Sequence, residues 1–250
     1  MSLMDAMKGF PGETSLYYEN LYSGEVLEYN ADLPLIAASI IKIPIMVEAF
    51  RRFEAGEDDP AAIHVLKNSE KMPSCGILNR MHEGVEVTIR DLVEMMIVLS
   101  DNTATNILIE RYGTDSVNRT MQAVGASDCI LRRKLFDAKA SAAGIQNTVT
   151  ARSVATLLKK LYRAELLGKK PDTEMMEILL NQRLNGKFPF ELHSRNIQIA
   201  HKTGEDDGIT HDAAVIFAKQ PFVLCMFSNK TDVPSFERYM QETALRLCEL

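Results

Sequence analysis

The period of the apolar positions changes three times along the chain. From Thr14 to Asn30, TSLYYEN and GEVLEYN are rich in aromatic and β-prone residues and are separated by Ser23-Gly24, which predicts a hairpin. From Ser39 to Leu184 the spacing is helical in IPIMVEAFRRFEAG, IRDLVEMMIVL, TATNILIERYG, TARSVATLLKKLYRAELLG and DTEMMEILLNQRL. Thr88 with Asp91 reads as a capping box, Gly113 and Gly168 as C′ glycines, and Thr150 or Asn147 as the cap of the long fourth helix. After Asn196 the runs NIQIAHK, HDAAVIFA and FVLCMFSN read as strands, and a helix follows from Ser235 to Leu250.

The hairpin and the late strands are each too small to stand alone, so the economical arrangement is one antiparallel sheet built from both chain ends. This predicts an α/β fold of the α+β kind. Residues 1–38 and 187–250 form an α/β lobe with helices flanking the sheet, residues 39–186 form an all-helical lobe, and the site lies in the cleft between them.

Composition narrows the class. With 250 residues, 46% apolar and 25% charged, the chain can bury a substantial core, which excludes disorder. Its 28 basic and 34 acidic residues give a net charge of −6, and no Lys/Arg stripe is interleaved with aromatics, which directs attention away from nucleic acid and anionic membranes. No run reaches the roughly 18 to 20 apolar residues of a membrane span, and the N-terminus lacks the zones of a signal peptide. As written, the chain reads as cytoplasmic. Met1-Ser2-Leu3 reads as a cloning remnant before Met4, which leaves the compartment open to an export signal already removed.

Cys75, Cys129, Cys225 and Cys248 lack CxxC spacing, which argues against a zinc knuckle or a disulfide scaffold and leaves one disulfide open. His64, His82, His193, His201 and His211 lack HExxH spacing; His201 and His211 could meet on neighbouring strands. No metal or cofactor is expected.

Three short motifs carry candidate chemistry. In Ser39-Ile40-Ile41-Lys42, serine and lysine three apart share a helix face, close enough for an amine to take a proton from a hydroxyl. Pro44 places Ser39 at or just before the helix N-terminus, and the surrounding isoleucines predict a buried lysine that must be paired or have a lowered pKa. Ser100-Asp101-Asn102 ends an oily run between two helices, so Asp101 or Asn102 caps the second helix, while Ser100 can relay a proton and Asn102 can hold a substrate amide or Lys42. His201-Lys202-Thr203-Gly204 ends a strand: Lys202 and Thr203 suit a substrate carboxylate, and Gly204 would let substrate lie against the strand. Each motif alone is common, as a capped helix with a surface lysine, a helix end, and a strand end with a turn glycine.

SxxK, SDN and KTG in this order resemble the class A β-lactamases and penicillin-binding proteins, over essentially the whole chain. The resemblance implies that Ser39 is the acylated nucleophile, Lys42 its base or proton relay, Ser100 the shuttle to the leaving nitrogen and Asn102 a substrate ligand, with Lys202 and Thr203 binding the substrate carboxylate. The backbone N–H groups of Ser39 and Glu205 would form the oxyanion hole, worth roughly 3 kcal/mol per donor.

Two features depart from that pattern. The family's deacylating glutamate would fall at Lys134 or Leu135, and Asp137 is the only carboxylate from Leu131 to Ser141. Asp137 is a substitute-base candidate, although an ion pair with a neighbouring Arg or Lys explains it more simply. Glu205-Asp206-Asp207 follows the motif and would oppose an anionic substrate, partly neutralising Lys202 by pairing with it. The expectation is a serine hydrolase acting on a small amide or ester, a β-lactamase first, with slow deacylation. Alternatives are a D-Ala-D-Ala peptidase or esterase of the same fold, a penicillin-recognising sensor, and an interaction protein with a retired site.

Overall fold

A computed structural model describes residues 7–249; the Met1-Ser2-Leu3 segment lies outside them. In chain order the strands are β1 (Glu13–Asn20), β2 (Val26–Tyr29), β3 (Leu35–Ile36), β4 (Ile63–Val65), β5 (Glu86–Thr88), β6 (Thr148–Val149), β7 (Ile199–Asp206), β8 (Ile209–Ile216) and β9 (Phe222–Asn229). The helices are α1 (Lys42–Ala55), α2 (Ile89–Val98), α3 (Asn102–Tyr112), α4 (Thr114–Ala123), α5 (Ala138–Ala142), α6 (Ala151–Arg163), α7 (Lys169–Leu180), α8 (Pro189–Leu192) and α9 (Val233–Cys248).

The chain ends meet in one antiparallel sheet of order β2-β1-β9-β8-β7. Its alternation is strict. Leu16, Tyr18, Phe222, Leu224 and Met226 face Phe236, Met240 and Ala244 of α9, whereas Tyr17, Val223, Cys225 and Phe227 join the core that contains α1 and α6. Because both faces are covered, β8 and β9 are buried along their whole length, which is why β9 is apolar without a break from Phe222 to Phe227. α6, from the middle of the chain, packs against β1, β8 and β9.

Several sequence boundaries move. The fourth helix stops at Arg163, where Ala164 is left-handed (φ 56°), so Gly168 caps the start of α7 and is not a C′ residue. Thr150, not Asn147, caps α6, accepting from Ser153 N at 3.2 Å. α4 was invisible because its apolar positions are sparse; Gly113 ends α3 and starts α4. The KTG motif lies inside β7, not at its end, since the ladder continues through Glu205↔Thr210 and Asp206↔Ile209. All four cysteines are free thiols, and among the described residues no helix is long and apolar enough to cross a membrane.

Helix α1 is the centre of the molecule: every residue from Lys42 to Phe50 is buried, so it is enclosed on all sides. That burial includes Glu48, whose carboxylate accepts from Arg51 Nε (2.8 Å), Arg52 Nε (2.6 Å), Ser116 Oγ (2.7 Å) and Thr120 Oγ1 (2.6 Å), tying α1 to α4. Burial alone would raise its pKa, but these donors outweigh it and hold the carboxyl at about 2, below the ordinary 4.5. Its contribution is therefore fully present above pH 4.5 and is lost as pH falls toward 2. Glu48→Ala, which strands the hydroxyls and guanidinium groups, should lower stability at pH 7 by about 3 kcal/mol in urea titrations, with a smaller deficit in strong acid.

Candidate active site

The chain enters α1 through a 3-10 turn, Ala38–Ile41, that carries Ser39. Ala38 is held at φ 42°, a conformation costing a non-glycine residue about 1 to 3 kcal/mol, and Ile40 and Ile41 are buried immediately after it. Neutral His211 anchors the preceding strand. Ser228 N donates to its Nδ1 (3.1 Å), which leaves Nε2–H to donate to Ile36 O (2.8 Å), and burial pushes its pKa down to about 4. Gly204 completes the approach. A Cβ there would sit 3.1 Å from His211 Cδ2 and 3.2 Å from Ile40 Cγ1, so the glycine makes room for the Ser39 turn.

Lys42 is fully buried and donates to Ser100 O (2.7 Å), Ser100 Oγ (2.9 Å) and Asn102 Oδ1 (2.8 Å), the three bonds an ammonium can make. Ser100, at φ 53°, turns both its carbonyl and its hydroxyl onto that lysine. The hydroxyl also accepts from Lys202 Nζ at 3.1 Å, and Lys202 donates to Thr203 O at 2.8 Å. Burial first, and then the charge of Lys202, push the Lys42 pKa well below its usual value. Burial and the Lys187 charge bring Lys202 down to about 7, with Asp212 acting in the opposite direction.

The loop between α2 and α3 has its shape fixed by Asp101. Its Oδ1 accepts from Ala104 N (2.9 Å) as the cap of α3, and its Oδ2 accepts from Ile77 N (2.7 Å) and Leu78 N (2.9 Å). Asn102 Nδ2 donates to Pro73 O (3.1 Å) and its backbone N to Cys75 O (3.2 Å). The Pro73–Leu78 stretch thus wraps the motif, a role the sequence analysis missed; its one signal was Gly76.

In front of Ser39 lies a cavity of about 530 Å³. Ser39, Ser100, Asn102, Thr203 and Glu205 line it together with Cys75, while Lys42 and Lys202 lie buried behind the wall. Across from β7 the wall is Arg133, Leu135, Phe136 and Asp137. Asn106 clamps Leu135 on both sides, accepting from its N (2.8 Å) and donating to its O (3.0 Å). Lys134 turns outward to Glu110 (2.6 Å). Among the described residues Asp137 has no ion-pair partner; its Oδ1 accepts from Ala140 N (3.0 Å) and caps α5.

Glu205 does not pair with Lys202 either, because buried Lys187 Nζ donates to its Oε1. Asp206 and Asp207 are exposed. His201 and His211 do not meet. Register sets His201 opposite Ala214, and its ring nitrogens lie 3.0 Å from Asp212 Oδ1 and 3.2 Å from Asn185 Oδ1.

The sequence profile of the "Beta-lactamase enzyme family" matches residues 2–247. The chain belongs to that family. It is a serine hydrolase of the β-lactamase and penicillin-binding-protein kind. Its fold is similar to that of a β-lactamase from Sphaerobacter thermophilus (28% identity, TM-score 0.87, covering 99% of this chain and 95% of that one). It is equally similar to PBP-A (26% identity, TM-score 0.89, 99% and 93%), a point mutant of which was solved as an acyl-enzyme complex with penicillin G. In sequence it resembles the β-lactamase regulatory protein BlaB of Streptomyces cacaoi, 24% identical over 246 residues, covering 81% of this chain and 79% of that protein.

The Asp101 cage of this β-lactamase-family chain requires Gly76. Gly76 has φ +107°, and a Cβ there would lie 2.2 Å from Asp101 Oδ2. Gly76→Ala should therefore cost about 2 kcal/mol or more in denaturant melts and should slow any chemistry at Ser39, whereas Gly84→Ala, with open space around its Cβ, should cost less.

Proposed function

We propose that the chain hydrolyses β-lactams through an acyl-enzyme on Ser39, in a cleft between an α/β part (residues 1–38 and 187–250) and a helical part (residues 39–186). The observation that carries this reading is the Ser100 hydroxyl, held between buried Lys42 and Lys202 at a cavity lined by Ser39. Neutral Lys42 has two protons and a lone pair, so it releases one of its three contacts and can take the Ser39 proton. Ser39 Oγ then bonds to the lactam carbonyl carbon, the C–N bond breaks, and Lys42 and Ser100 pass the proton to the leaving nitrogen. Lys202 and Thr203 hold the substrate carboxylate, and Asn102 an amide of the substrate.

Backbone N–H groups of Ser39 and Glu205 face the developing oxyanion. Ser39 is the second residue of its turn, where an N–H has no partner within the turn, and β7 is the edge strand of its sheet. Water then adds to the acyl carbon, the ester bond to Ser39 Oγ breaks, one water proton returns to Oγ, and the ring-opened acid leaves. That second step is slow, because Asp137 is engaged as a cap and Glu205 by Lys187, and Leu135 supplies no carboxylate. The same engaged carboxylates favour a second reading, a penicillin-binding peptidase or sensor in which the long-lived acyl-enzyme is the output.

Incubation with penicillin G, followed by intact mass over time, tests both. A penicilloyl adduct should form on the wild type and not on Ser39→Ala, and should decay over minutes or longer; decay within seconds removes the slow-release reading, and no adduct removes the acyl-enzyme. Asp137→Asn keeps the cap and should change release by less than about twofold.

The acylation rate should rise with pH as Lys42 loses its proton and decline above about 7 as Lys202 loses its charge. In Lys202→Arg, which stays charged, the alkaline decline should disappear from the profile; a decline that persists would assign it to another group.

A further inference from the structure

Glu205 and Asp206 line the cavity within a few residues of Lys202 and Thr203, an unfavourable setting for a substrate carboxylate. Lys187 changes that setting. It lies between α7 and α8, outside all three motifs, and its side chain is 3% exposed against 60% for Glu205, to which its ammonium donates. The other carboxylate nearby, Glu237 of α9, is 3.6 Å from Lys187 Nζ and already accepts from Thr210 Oγ1 at 2.8 Å. A lysine buried to this degree needs a close counter-charge, and Glu205 is the one it bonds.

We propose that Lys187 is a specificity-determining residue: by taking up the Glu205 charge at the rim of the cavity, it makes the site selective for substrates that bear a carboxylate. The proposal rests on the acyl-transfer reading above. With Lys187 present, the incoming anion meets Lys202, the Thr203 hydroxyl and a neutralised Glu205. Without it, a free carboxylate on β7 faces that anion in a partly solvated site. An unscreened like charge a few ångströms away weakens association by about tenfold. An uncharged substrate escapes this penalty, so the signature is a change in selectivity.

The measurement is the ratio of Ser39 labelling rates, by intact mass, for penicillin G over its methyl ester. In Lys187→Met the ratio should fall about tenfold, and Lys187→Gln provides the same neutral change if the methionine variant does not fold. In Lys187→Met/Glu205→Gln, which removes both charges, it should return to within about threefold of the wild type. A ratio unchanged in the single variants, with or without a common loss of rate for both substrates, overturns the proposal. So does a low ratio that persists in the double variant. Failure of the wild type to label with either compound would instead overturn the acyl-transfer reading itself.

Discussion

The burial of one amine organises the site. Lys42 lies in a helix enclosed on all sides, among isoleucines that offer it no polar partner. An unpaired ammonium there would cost several kcal/mol, so the fold must bring oxygen atoms to it. They come from Ser100 and Asn102, some sixty residues along the chain. Much of the neighbouring architecture follows from that delivery: the left-handed Ser100, the Asp101 cage beneath it, and the glycine that lets the Pro73–Leu78 stretch close over the cage. A break between α2 and α3, which would otherwise be only a helix end, becomes the place where a buried charge is solvated by protein.

The second lysine makes the arrangement chemically active. Lys202 shares the Ser100 hydroxyl with Lys42, so two buried amines converge on one oxygen at the wall of the cavity. Burial disfavours the proton on both amines, the Lys202 charge adds to this at Lys42, and the Lys187 charge adds to it at Lys202, which titrates at about 7. Asp212 lies on the other side of Lys202, held by His201 and Phe188 N, and limits how far that shift goes. Both the strength of the base and the charge available to a substrate are set by groups that do not line the cavity.

The sheet was legible because β1, β8 and β9 announce themselves by composition, and the grouping of Lys42, Ser100 and Lys202 beside a cavity lined by Ser39 was foreshadowed by three motifs in a known order. Less was visible wherever a residue acts through a distant backbone atom. The capping contact of Asp137 left no sign, because it depends on a five-residue helix too short to leave a periodic signal. The room that Gly204 leaves for Ile40 and His211 was equally hidden, since those contacts are made across a strand pair and a turn. Lys187 carried no signal, since nothing local connects it with a carboxylate eighteen positions later on another element.

The pairing of β1 with β9 sets Glu13 against Asn229 and Asn20 against Phe222, joining segments about two hundred residues apart. Contacts of that separation are slow to form, because the intervening loop must close before any ladder bond rewards it. During synthesis the hairpin precedes β9, so β1 lacks that partner while the helices form, and α6 and α7 wait for the β7, β8 and β9 surfaces on which they pack. The strands carrying Lys202 and Thr203 are made late, so Lys42 and Ser100 can find one another before the cation opposite them exists. The meeting of Lys42, Ser100 and Lys202 is in this sense a property of chain closure, completed when β1 and β9 lie side by side.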